Sequence, residues 1–479
     1  MPQRMIKKVL LISPHGKITI TREGSRERKL AVPPLGLAYL AASIRTAGYD
    51  VEILDILIEG YDREEEVGNN TFIYGIESDK IRRIIEKSAP DIIGISCIIS
   101  NRAREVSSIC RTAKEALPDI PVVVGGQHPT GAPEMVMNPD IDYLLRGECD
   151  HTFVDLIETL NSGNELSAVK GIVFKQDKGF FINPVQDFPD VNSLPRPAWD
   201  LLKLEKYWTT GMCDYEIGAT GKKKFMIMIT SRGCPHKCYF CTSPNMSGRR
   251  FRARDVDDVI EEIEKYRSEY GVNRIYFWDD NFFIGRERLK ELLDKLARNF
   301  SDMTFEVTSG TEANSLDDEI IELLARAGFK KIFLAVESPN EATQKTLIDK
   351  NVNIARVPIL VKKIKECGMI AEGSFMVGFP DESLERVDTT FEMIKKFGFD
   401  RISISIVNPL PGTELYDHCI KNKLFFDDFD PKDIRWSQEN IRLEGVPRGY
   451  IAQKRRDVWI EYMKNKIDID VYEKENIKL

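Results

Sequence analysis

The chain has 479 residues, of which 42% are hydrophobic and 30% charged, and its net charge is -8. This length is too great for one ordinary core, so we expect two domains and a smaller piece, and the acidic balance argues against nucleic-acid binding. We expect no signal peptide at the start, because only a short apolar strand precedes Ser13-Pro14-His15-Gly16. No apolar run approaches the roughly 20 residues of a transmembrane segment, so we expect a cytoplasmic protein with reduced cysteines.

The first part of the chain, from residue 7 to about residue 160, alternates apolar strands with helical stretches. Strands are predicted at residues 9–12, 51–54, 91–97, 122–125 and 143–145, and helices include residues 36–47 and 102–116. This pattern predicts a doubly wound parallel sheet, whose ligands lie at the carboxyl ends of the strands. Small residues there leave room for a cofactor, although they also simply make turns. No GxGxxG follows the first strand, so a dinucleotide is not indicated.

A probable hairpin follows, with strands at residues 171–174 and 179–183, and several prolines after it indicate an interdomain linker. From residue 225 to 422, six predicted strands alternate with five amphipathic helices. The strands are residues 225–230, 274–278, 304–308, 331–336, 370–376 and 401–407, and the helices include residues 256–266, 286–299 and 319–327. In enzymes with a β/α arrangement of this kind, the active site lies at the carboxyl ends of the strands.

Three cysteines, Cys234, Cys238 and Cys241, form a CxxxCxxC motif directly after the first of these strands. Three thiolates on one short loop can hold three corners of an iron–sulfur cubane and leave one iron without a protein ligand. Zinc is the alternative, but a structural zinc site closes four ligands, and the nearby His236 lies inside the same tight loop. The odd number of thiols argues against a disulfide.

This motif, with the aromatic Phe240 before its last cysteine and a strand–helix repeat after it, resembles the radical S-adenosylmethionine (SAM) superfamily. The resemblance implies a partial (β/α)6 barrel in which the cysteines hold a [4Fe–4S] cluster. The open iron then chelates SAM, and the reduced cluster cleaves SAM to a 5′-deoxyadenosyl radical. It further implies SAM contacts from Asp279 and Asp280 after the second strand, Glu337 after the fourth and Gly378 after the fifth. Asp279 and Asp280 have an alternative role as helix caps.

The first domain resembles the cobalamin-binding domain that precedes the barrel in one radical SAM subclass. The resemblance rests on Pro34-Leu35-Gly36, Ser96, Gly125-Gly126 and Glu148, and it implies that these residues bind cobalamin. The DxHxxG signature that supplies a histidine to cobalt is absent, since His15 and His128 lie in other contexts. We therefore expect cobalamin without a histidine ligand.

Together these features predict an α/β chain with a cobalamin-binding domain at residues 1–165, a hairpin and linker at 166–215, a radical SAM core at 216–424 and a small helical region at 425–479. The resemblance implies methylation of an unactivated carbon of a small-molecule or lipid substrate: one SAM supplies the methyl group through cobalamin, and a second generates the radical. It also implies an electron donor such as flavodoxin or ferredoxin. The alternatives are a cyclase or rearrangement enzyme without methyl transfer and a non-catalytic cobalamin or redox sensor.

Several other residues remain open from sequence alone. Arg249, Arg250 and Arg252 either bind a substrate anion or form a solvated face. Cys213 is a remote candidate for a substrate contact. The aromatic residues of the C-terminal region either pack against the barrel or cover its mouth, and they are Trp436, Tyr450, Trp459 and Tyr462.

Overall fold

A computed structural model describes residues 5–20, 26–27, 29–177, 179–185, 188–210, 224–348, 352–380, 382–435 and 437–464. These residues divide into two compact units. The first contains residues 5–210 and the short stretch 245–247, and the second contains residues 224–244 and 248–464, each within its described ranges.

The strands of the first unit are, in chain order, β1 (Lys8–Ser13), β2 (Gly16–Thr19), β3 (Asp50–Asp55), β4 (Glu64–Gly68), β5 (Thr71–Tyr74), β6 (Ile92–Ser96), β7 (Val122–Gly125), β8 (Tyr143–Leu145), β9 (Ile172–Gln176) and β10 (Gly179–Ile182). Its helices are α1 (Leu35–Thr46), α2 (Ile56–Glu59), α3 (Ser78–Ser88), α4 (Ala103–Ala116), α5 (Gln127–Gly131), α6 (Pro133–Val136), α7 (Cys149–Ser162) and α8 (Leu204–Thr209).

The main sheet of this unit has the order β10-β9-β8-β7-β6-β1-β3. Strands β3, β1, β6, β7 and β8 are parallel, which confirms the doubly wound sheet. Alternate residues of β1 enter two separate cores: Leu10 and Ile12 pack with α3 and α4, whereas Val9 and Leu11 pack with α1 and α7. Burial on both faces explains why these strands are almost continuously apolar.

Two features of the first unit depart from the expected plan. The predicted hairpin exists, but β9 pairs antiparallel with β8 and so extends the main sheet. A second, three-stranded antiparallel sheet of order β2-β5-β4 was not predicted at all. It begins with β2, three residues after the end of β1, and therefore lies at the carboxyl-terminal side of the main sheet.

The second unit contains the strands β11 (Phe225–Met228), β12 (Ser231–Arg232), β13 (Arg252–Ala253), β14 (Arg274–Phe277), β15 (Thr304–Val307), β16 (Lys331–Glu337), β17 (Ile370–Val377) and β18 (Arg401–Ile406). Its helices are α10 (Val256–Tyr270), α11 (Arg286–Asn299), α12 (Asp318–Arg326), α13 (Glu341–Thr343), α14 (Val357–Glu366), α15 (Leu384–Lys396), α16 (Glu414–Lys421) and α17 (Tyr450–Met463), and α9 (Ser243–Ser247) follows the cysteine loop.

Six parallel strands of this unit form a partial barrel of two three-stranded sheets, β11-β14-β15 and β16-β17-β18. Isolated parallel bridges, Phe305 to Phe329 and Thr311 to Leu334, join the two sheets. All six strands were predicted, and the observed elements confirm the (β/α)6 expectation. Along β17 and β18 every second residue is buried, because those side chains face the surrounding helices, and the residues between them are half-buried.

The C-terminal helix α17 packs on this barrel. The Tyr450 hydroxyl donates to Asp388 of α15 at 2.6 Å, and the Tyr462 hydroxyl donates to the Phe399 carbonyl at 2.8 Å. Arg455 donates to the Ile404 carbonyl of β18, the last strand of its sheet. These contacts give Tyr450 and Tyr462 packing roles. Trp436 lies outside the described residues.

Candidate active site

The three cysteines of the predicted cluster motif lie on one loop between two short strands. Strand β12 enters the loop, and β13, which pairs with β12 in antiparallel fashion, follows it. The Cys234 N–H donates to the Gly248 carbonyl at 3.3 Å, and the Cys241 N–H donates to the Cys238 carbonyl at 3.0 Å. All three cysteines are half-buried, and none is in a disulfide. The fold therefore presents three reduced thiols from one closed loop.

Three barrel elements hold this loop from different sides. The Gly233 N–H donates to Asp280, after β14, at 2.9 Å. His236 Nε2 is 2.8 Å from the carboxylate of Glu312, which follows β15. The Leu415 N–H, in the first turn of α16, donates to the Tyr239 carbonyl at 3.1 Å. The sequence did not reveal Glu312 or His236 as partners, because 76 residues separate them.

The donor set of the loop fits an iron–sulfur cubane. Burial raises the pKa of the Cys234 thiol, and the nearby Cys241 adds to this, while hydrogen bonds from His236 and Asn281 oppose it. Bound iron replaces the proton of such a thiol. Among the described residues, no three His, Cys, Asp or Glu side chains converge as they would around one ion. A cubane does not require such convergence, because each thiolate binds a different iron.

The two carboxylates after β14 mainly tie the barrel to the cysteine loop. Asp279 is 1% exposed, and it accepts hydrogen bonds from the Thr230 hydroxyl at 2.8 Å, the Thr230 N–H and the Ser231 hydroxyl. Burial raises the pKa of Asp279, although these hydrogen bonds act to lower it. Asp280 accepts from Gly233. Both predicted residues thus anchor the strand that leads into the loop, and the role of either as a SAM contact remains a prediction.

Glu337 ends β16 in an unusual backbone conformation. Its φ is 61°, in the left-handed region, and the pairing of β16 with β17 is irregular between Ala335 and Glu337. Such a conformation costs about 1–3 kcal/mol for a residue other than glycine and is often found at functional sites. The Gln344 side chain donates to the Ser338 carbonyl at 2.6 Å and so supports the turn. The Glu337 side chain is buried at a strand end, as predicted.

The segment after β17 has its own anchor. Gly378 has a φ of 96°, and the N–H groups of Gly378 and Phe379 donate to the Glu382 carboxylate at 2.8 and 3.1 Å. Burial raises the pKa of Glu382 to about 7. The Phe379 ring lies 6.1 Å from the ring of Phe240 in the cysteine loop. The structure therefore brings two predicted site residues, Gly378 and Phe240, to the same segment, and Glu382 was missed.

In the first unit the predicted cofactor residues lie at strand ends and helix starts. Ser96 and Gly125 are partners on the neighbouring strands β6 and β7, and Gly126 makes the turn into α5. Pro34 precedes α1, Leu35 and Gly36 begin that helix, and Glu148 precedes α7.

Two of the glycines among these residues, Gly36 in the first turn of α1 and Gly125 at the end of β7, have room for a Cβ, and we call this pair the glycine cradle. A Cβ on Gly36 would meet nothing within 4 Å, and a Cβ on Gly125 would first meet the Cys149 sulfur at 3.6 Å. Gly126 differs, since it has a φ of 123° and a Cβ there would lie 2.6 Å from the Cys97 carbonyl oxygen. Gly126 is required by the turn, whereas the role of Gly36 and Gly125 in binding cobalamin remains a prediction.

The first unit has three histidines. His15 and His128 are buried and bonded to the protein, whereas His151 is exposed in α7. His15 Nε2 is 2.9 Å from the Ile76 carbonyl oxygen, and His128 Nδ1 is 2.9 Å from the Ser100 hydroxyl.

Of the three arginines after the cysteine loop, Arg250 is exposed and the other two are tied to the protein. Arg249 donates to the His236 carbonyl at 2.7 Å, and Arg252 is nearly buried in β13. Cys213 lies outside the described residues.

None of the described helices is both long enough and apolar enough to cross a membrane.

Two family models match the chain. The B12 binding domain matches residues 25–157, and the radical SAM superfamily matches residues 228–394. The chain is 32% identical to an uncharacterised methyltransferase of Pyrococcus horikoshii, over 98% of the chain and 95% of that protein. It is 30% identical to the cytidylyl-2-hydroxyethylphosphonate methyltransferase of Streptomyces wedmorensis, over 92% of the chain and 87% of that protein.

Among solved structures, the radical SAM methyltransferase TsrM of Kitasatospora setae, with cobalamin and a [4Fe–4S] cluster, has a TM-score of 0.72 at 16% identity, covering 95% of this chain and 91% of TsrM. The cobalamin-dependent radical SAM enzyme OxsB also has a TM-score of 0.72 at 16% identity, covering 98% of this chain and 71% of OxsB. These likenesses confirm the fold. The chain belongs to the B12-binding radical SAM methyltransferase family.

Proposed function

We propose that this enzyme methylates an unactivated carbon of a small-molecule or lipid substrate. The observation that carries the proposal is the clamped loop with three cysteines outside any disulfide, in a chain whose other unit has the B12-binding fold. When bound, the [4Fe–4S] cluster and SAM supply a 5′-deoxyadenosyl radical, and cobalamin supplies the methyl group. The protein's own task is to bind, orient and shield these groups.

In the barrel, Cys234, Cys238 and Cys241 ligate three irons of the cluster. The contact of Phe240 with Phe379 aligns the cysteine loop with the backbone of Gly378, which we assign to the adenine side of SAM. The Glu337 carboxylate, buried at its strand end, attracts the SAM amino group. We assign Asp280 a contact near the same group. Asp279 acts as a positioning residue, because its oxygens already accept from Thr230 and Ser231.

In the first unit, Ser96, Gly125, Gly126 and Glu148 would hold cobalamin at the carboxyl ends of β6, β7 and β8. Pro34, Leu35 and Gly36 would contact it from the start of α1. The open space beside Gly36 supports this placement. A flavodoxin or ferredoxin in the cytoplasm serves as the electron donor.

Cobalt receives no histidine ligand in this proposal. His15 and His128 are buried, and one nitrogen of each is already committed to Ile76 or Ser100, whereas His151 is exposed on α7. The electron paramagnetic resonance spectrum of the bound cob(II)alamin tests this point. We expect His15→Ala, His128→Ala and His151→Ala to leave the spectrum unchanged; a nitrogen superhyperfine splitting that is lost in any of them would refute it.

The test of function is anaerobic reconstitution with iron, sulfide and hydroxocobalamin, followed by reduction in the presence of SAM. We expect both 5′-deoxyadenosine and S-adenosylhomocysteine from the wild type and neither from Cys238→Ala. Cys367→Ala, which removes a half-buried cysteine after α14, is the matched control and keeps both products. If 5′-deoxyadenosine forms alone, the enzyme is a radical SAM enzyme without methyl transfer. If neither product forms with both cofactors bound, the chain is a sensor.

A further inference from the structure

A buried polar cluster lies at the ends of two central strands of the first unit. His15 follows β1, Lys17 belongs to β2, and Asn101, Arg102 and Glu105 follow β6. Strands β1 and β6 are neighbours, and β3 lies on the other side of β1. From β1 the chain continues to β3 on one side, and β6 is added later on the other side, so the strand order reverses between β1 and β6. Doubly wound sheets bind ligands at such a point.

The cationic groups of the cluster have partners within it. Lys17 Nζ donates to the Asn101 carbonyl at 2.9 Å and lies 3.5 Å from Glu105 Oε1. Arg102 Nη1 donates to the His15 carbonyl at 2.7 Å. The side chains of Lys17 and Glu105 are each 7% exposed, so this pair is held away from water.

The acceptors of the cluster are not satisfied. Among the described residues, none donates to Glu105 Oε2, His15 Nδ1 or Asn101 Oδ1, and all three atoms are closed to water. His15 Nε2 must carry the proton, because the Ile76 carbonyl can only accept. His15 Nδ1 of the neutral ring is therefore an acceptor, and burial favours the neutral ring by lowering the pKa of His15. His15 and Glu105 are 6% and 7% exposed.

Unsatisfied buried acceptors of this kind are unfavourable, so a ligand that brings donors gains free energy on binding. The carboxylate oxygen repels an anion such as a phosphate. The positive charges of Lys17 and Arg102 disfavour a cation. The chemistry that remains is a neutral group with N–H or O–H donors.

We propose that this cluster is a subsite for a carboxamide side arm of the corrin ring, with Glu105 Oε2 and His15 Nδ1 accepting its two N–H groups. The corrin periphery carries several such primary amides, and each offers two donors. The proposal rests on the cobalamin binding proposed above. Asn101 Oδ1 lies one helical turn before Glu105 and provides a third acceptor.

Cobalamin affinity measured without turnover tests the subsite. The full-length protein is titrated anaerobically with hydroxocobalamin and with its monocarboxylic derivatives, in each of which one corrin carboxamide is a carboxylate. Wild type should bind one of these derivatives at least about tenfold more weakly than hydroxocobalamin, because two carboxylates then face each other.

Glu105→Gln should bind hydroxocobalamin about tenfold more weakly and should recover affinity for that same derivative. The reason is that Lys17 continues to pair with the side-chain oxygen at position 105. The side-chain nitrogen of Glu105→Gln therefore faces the ligand. Asn101→Ala should weaken hydroxocobalamin binding less. The matched control is Glu115→Gln on the same helix, where the exposed carboxylate pairs with Arg82.

The outcomes separate the two proposals. If the wild type binds no cobalamin, the proposed function fails. If the wild type binds cobalamin but all derivatives bind equally, or if folded Glu105→Gln and Asn101→Ala keep wild-type affinity, the subsite is wrong and the proposed function stands. Circular dichroism of the ligand-free variants establishes that they are folded.

Discussion

Three buried acids of this protein share one structural role. Asp279, Glu382 and Asp55 are all closed off from water, and each accepts hydrogen bonds from backbone or hydroxyl groups of its own unit. In each case the acid fixes a turn at the carboxyl end of a strand. The geometry of the neighbouring site residues therefore depends on side chains that do not themselves need to touch a ligand.

Asp279→Ala tests whether Asp279 holds the turn or contacts a ligand directly. The change leaves the Thr230 N–H, the Thr230 hydroxyl and the Ser231 hydroxyl without an acceptor, so we expect the free energy of unfolding to fall by about 2–4 kcal/mol in urea denaturation. Asp302→Ala, at an exposed position, serves as the control. A folded Asp279→Ala protein with wild-type stability and weakened SAM binding would instead make Asp279 a direct ligand contact.

Asp55 predicts a pH dependence of stability. Its carboxylate accepts from the Tyr207 hydroxyl of α8 at 2.5 Å, and burial raises its pKa to about 6 from 3.8. Because the folded pKa is the higher one, the stabilising contribution is complete below pH 3.8 and is lost as the pH rises through about 6. Ionised Asp55 therefore destabilises the fold at pH 8.

The comparison of Asp55→Asn with wild type isolates this effect. We subtract the unfolding free energy of wild type from that of Asp55→Asn, both measured in urea. This difference should be about 1.5 kcal/mol more favourable to the variant at pH 8 than at pH 5. Any fixed cost of the amide cancels between the two pH values. Asp200→Asn, on the exposed surface, should show no such change. A difference that is the same at both pH values would contradict the assigned pKa.

At the scale of elements, salt bridges connect neighbouring strands of the barrel. Lys331 of β16 lies 2.8 Å from Glu306 of β15 and 3.1 Å from Glu372 of β17. Since β15 and β16 belong to different three-stranded sheets, this lysine connects the two halves of the barrel. Its burial lowers its pKa, but the two carboxylates outweigh that effect and raise it overall.

Lys331→Met should be strongly destabilising. It leaves two largely buried carboxylates close together without a counter-charge, and breaking such a buried pair costs about 3–5 kcal/mol. Lys362→Met, on the exposed face of α14, removes a surface pair with Glu366 and should have little effect. The measurement is urea unfolding at pH 7. A loss equal to that of the control would mean that the strands are held by packing alone.

The predictability of these elements follows from their burial. The six barrel strands are readable because their outward residues pack under helices; in β17 and β18 these buried residues alternate with half-buried ones. The small sheet is not readable, because β4 has the sequence Glu-Glu-Glu-Val-Gly and no apolar alternation. It is held by tertiary contacts instead, such as the ion pair of Lys29 with Glu64 at 2.7 Å.

The site was predictable only in part, for a related reason. A local motif marks the three cysteines, and strand ends mark Glu337 and Gly378. The partners that orient them come from distant segments: Thr230 lies 49 residues from Asp279, and Glu312 lies 76 residues from His236. The left-handed φ of Glu337 likewise arises from the bulge against β17, which no local pattern indicates.

At the scale of the whole molecule, each unit has its own fold and its own set of predicted cofactor residues. The cysteine loop is anchored by Asp280, Glu312 and Leu415, all of the second unit. The glycine cradle is formed by the strand ends and helix starts of the first unit. We therefore expect that each cofactor can be lost without the other.

Two variants make this separation measurable. Cys238→Ala should lose iron and sulfide but bind cobalamin within about twofold of wild type. Gly36→Leu places a good helix former at a helical position where a Cβ meets nothing, so the ligand-free fold should tolerate it, while its side chain occupies the cradle. Cobalamin affinity should then fall at least about tenfold with the iron content unchanged, because the cofactor and the leucine compete for one volume.

Gly36→Ala is the control, since one methyl group fills much less of the cradle and should leave most of the affinity. Iron, sulfide and cobalamin are quantified per chain after reconstitution. If a folded Cys238→Ala protein also lost cobalamin, or if folded Gly36→Leu also lost iron, the two sites would not assemble independently. If each variant loses only its own cofactor, methyl transfer in this enzyme depends on two separately built sites, and a variant can remove either half of the chemistry while the other half stays available for spectroscopy.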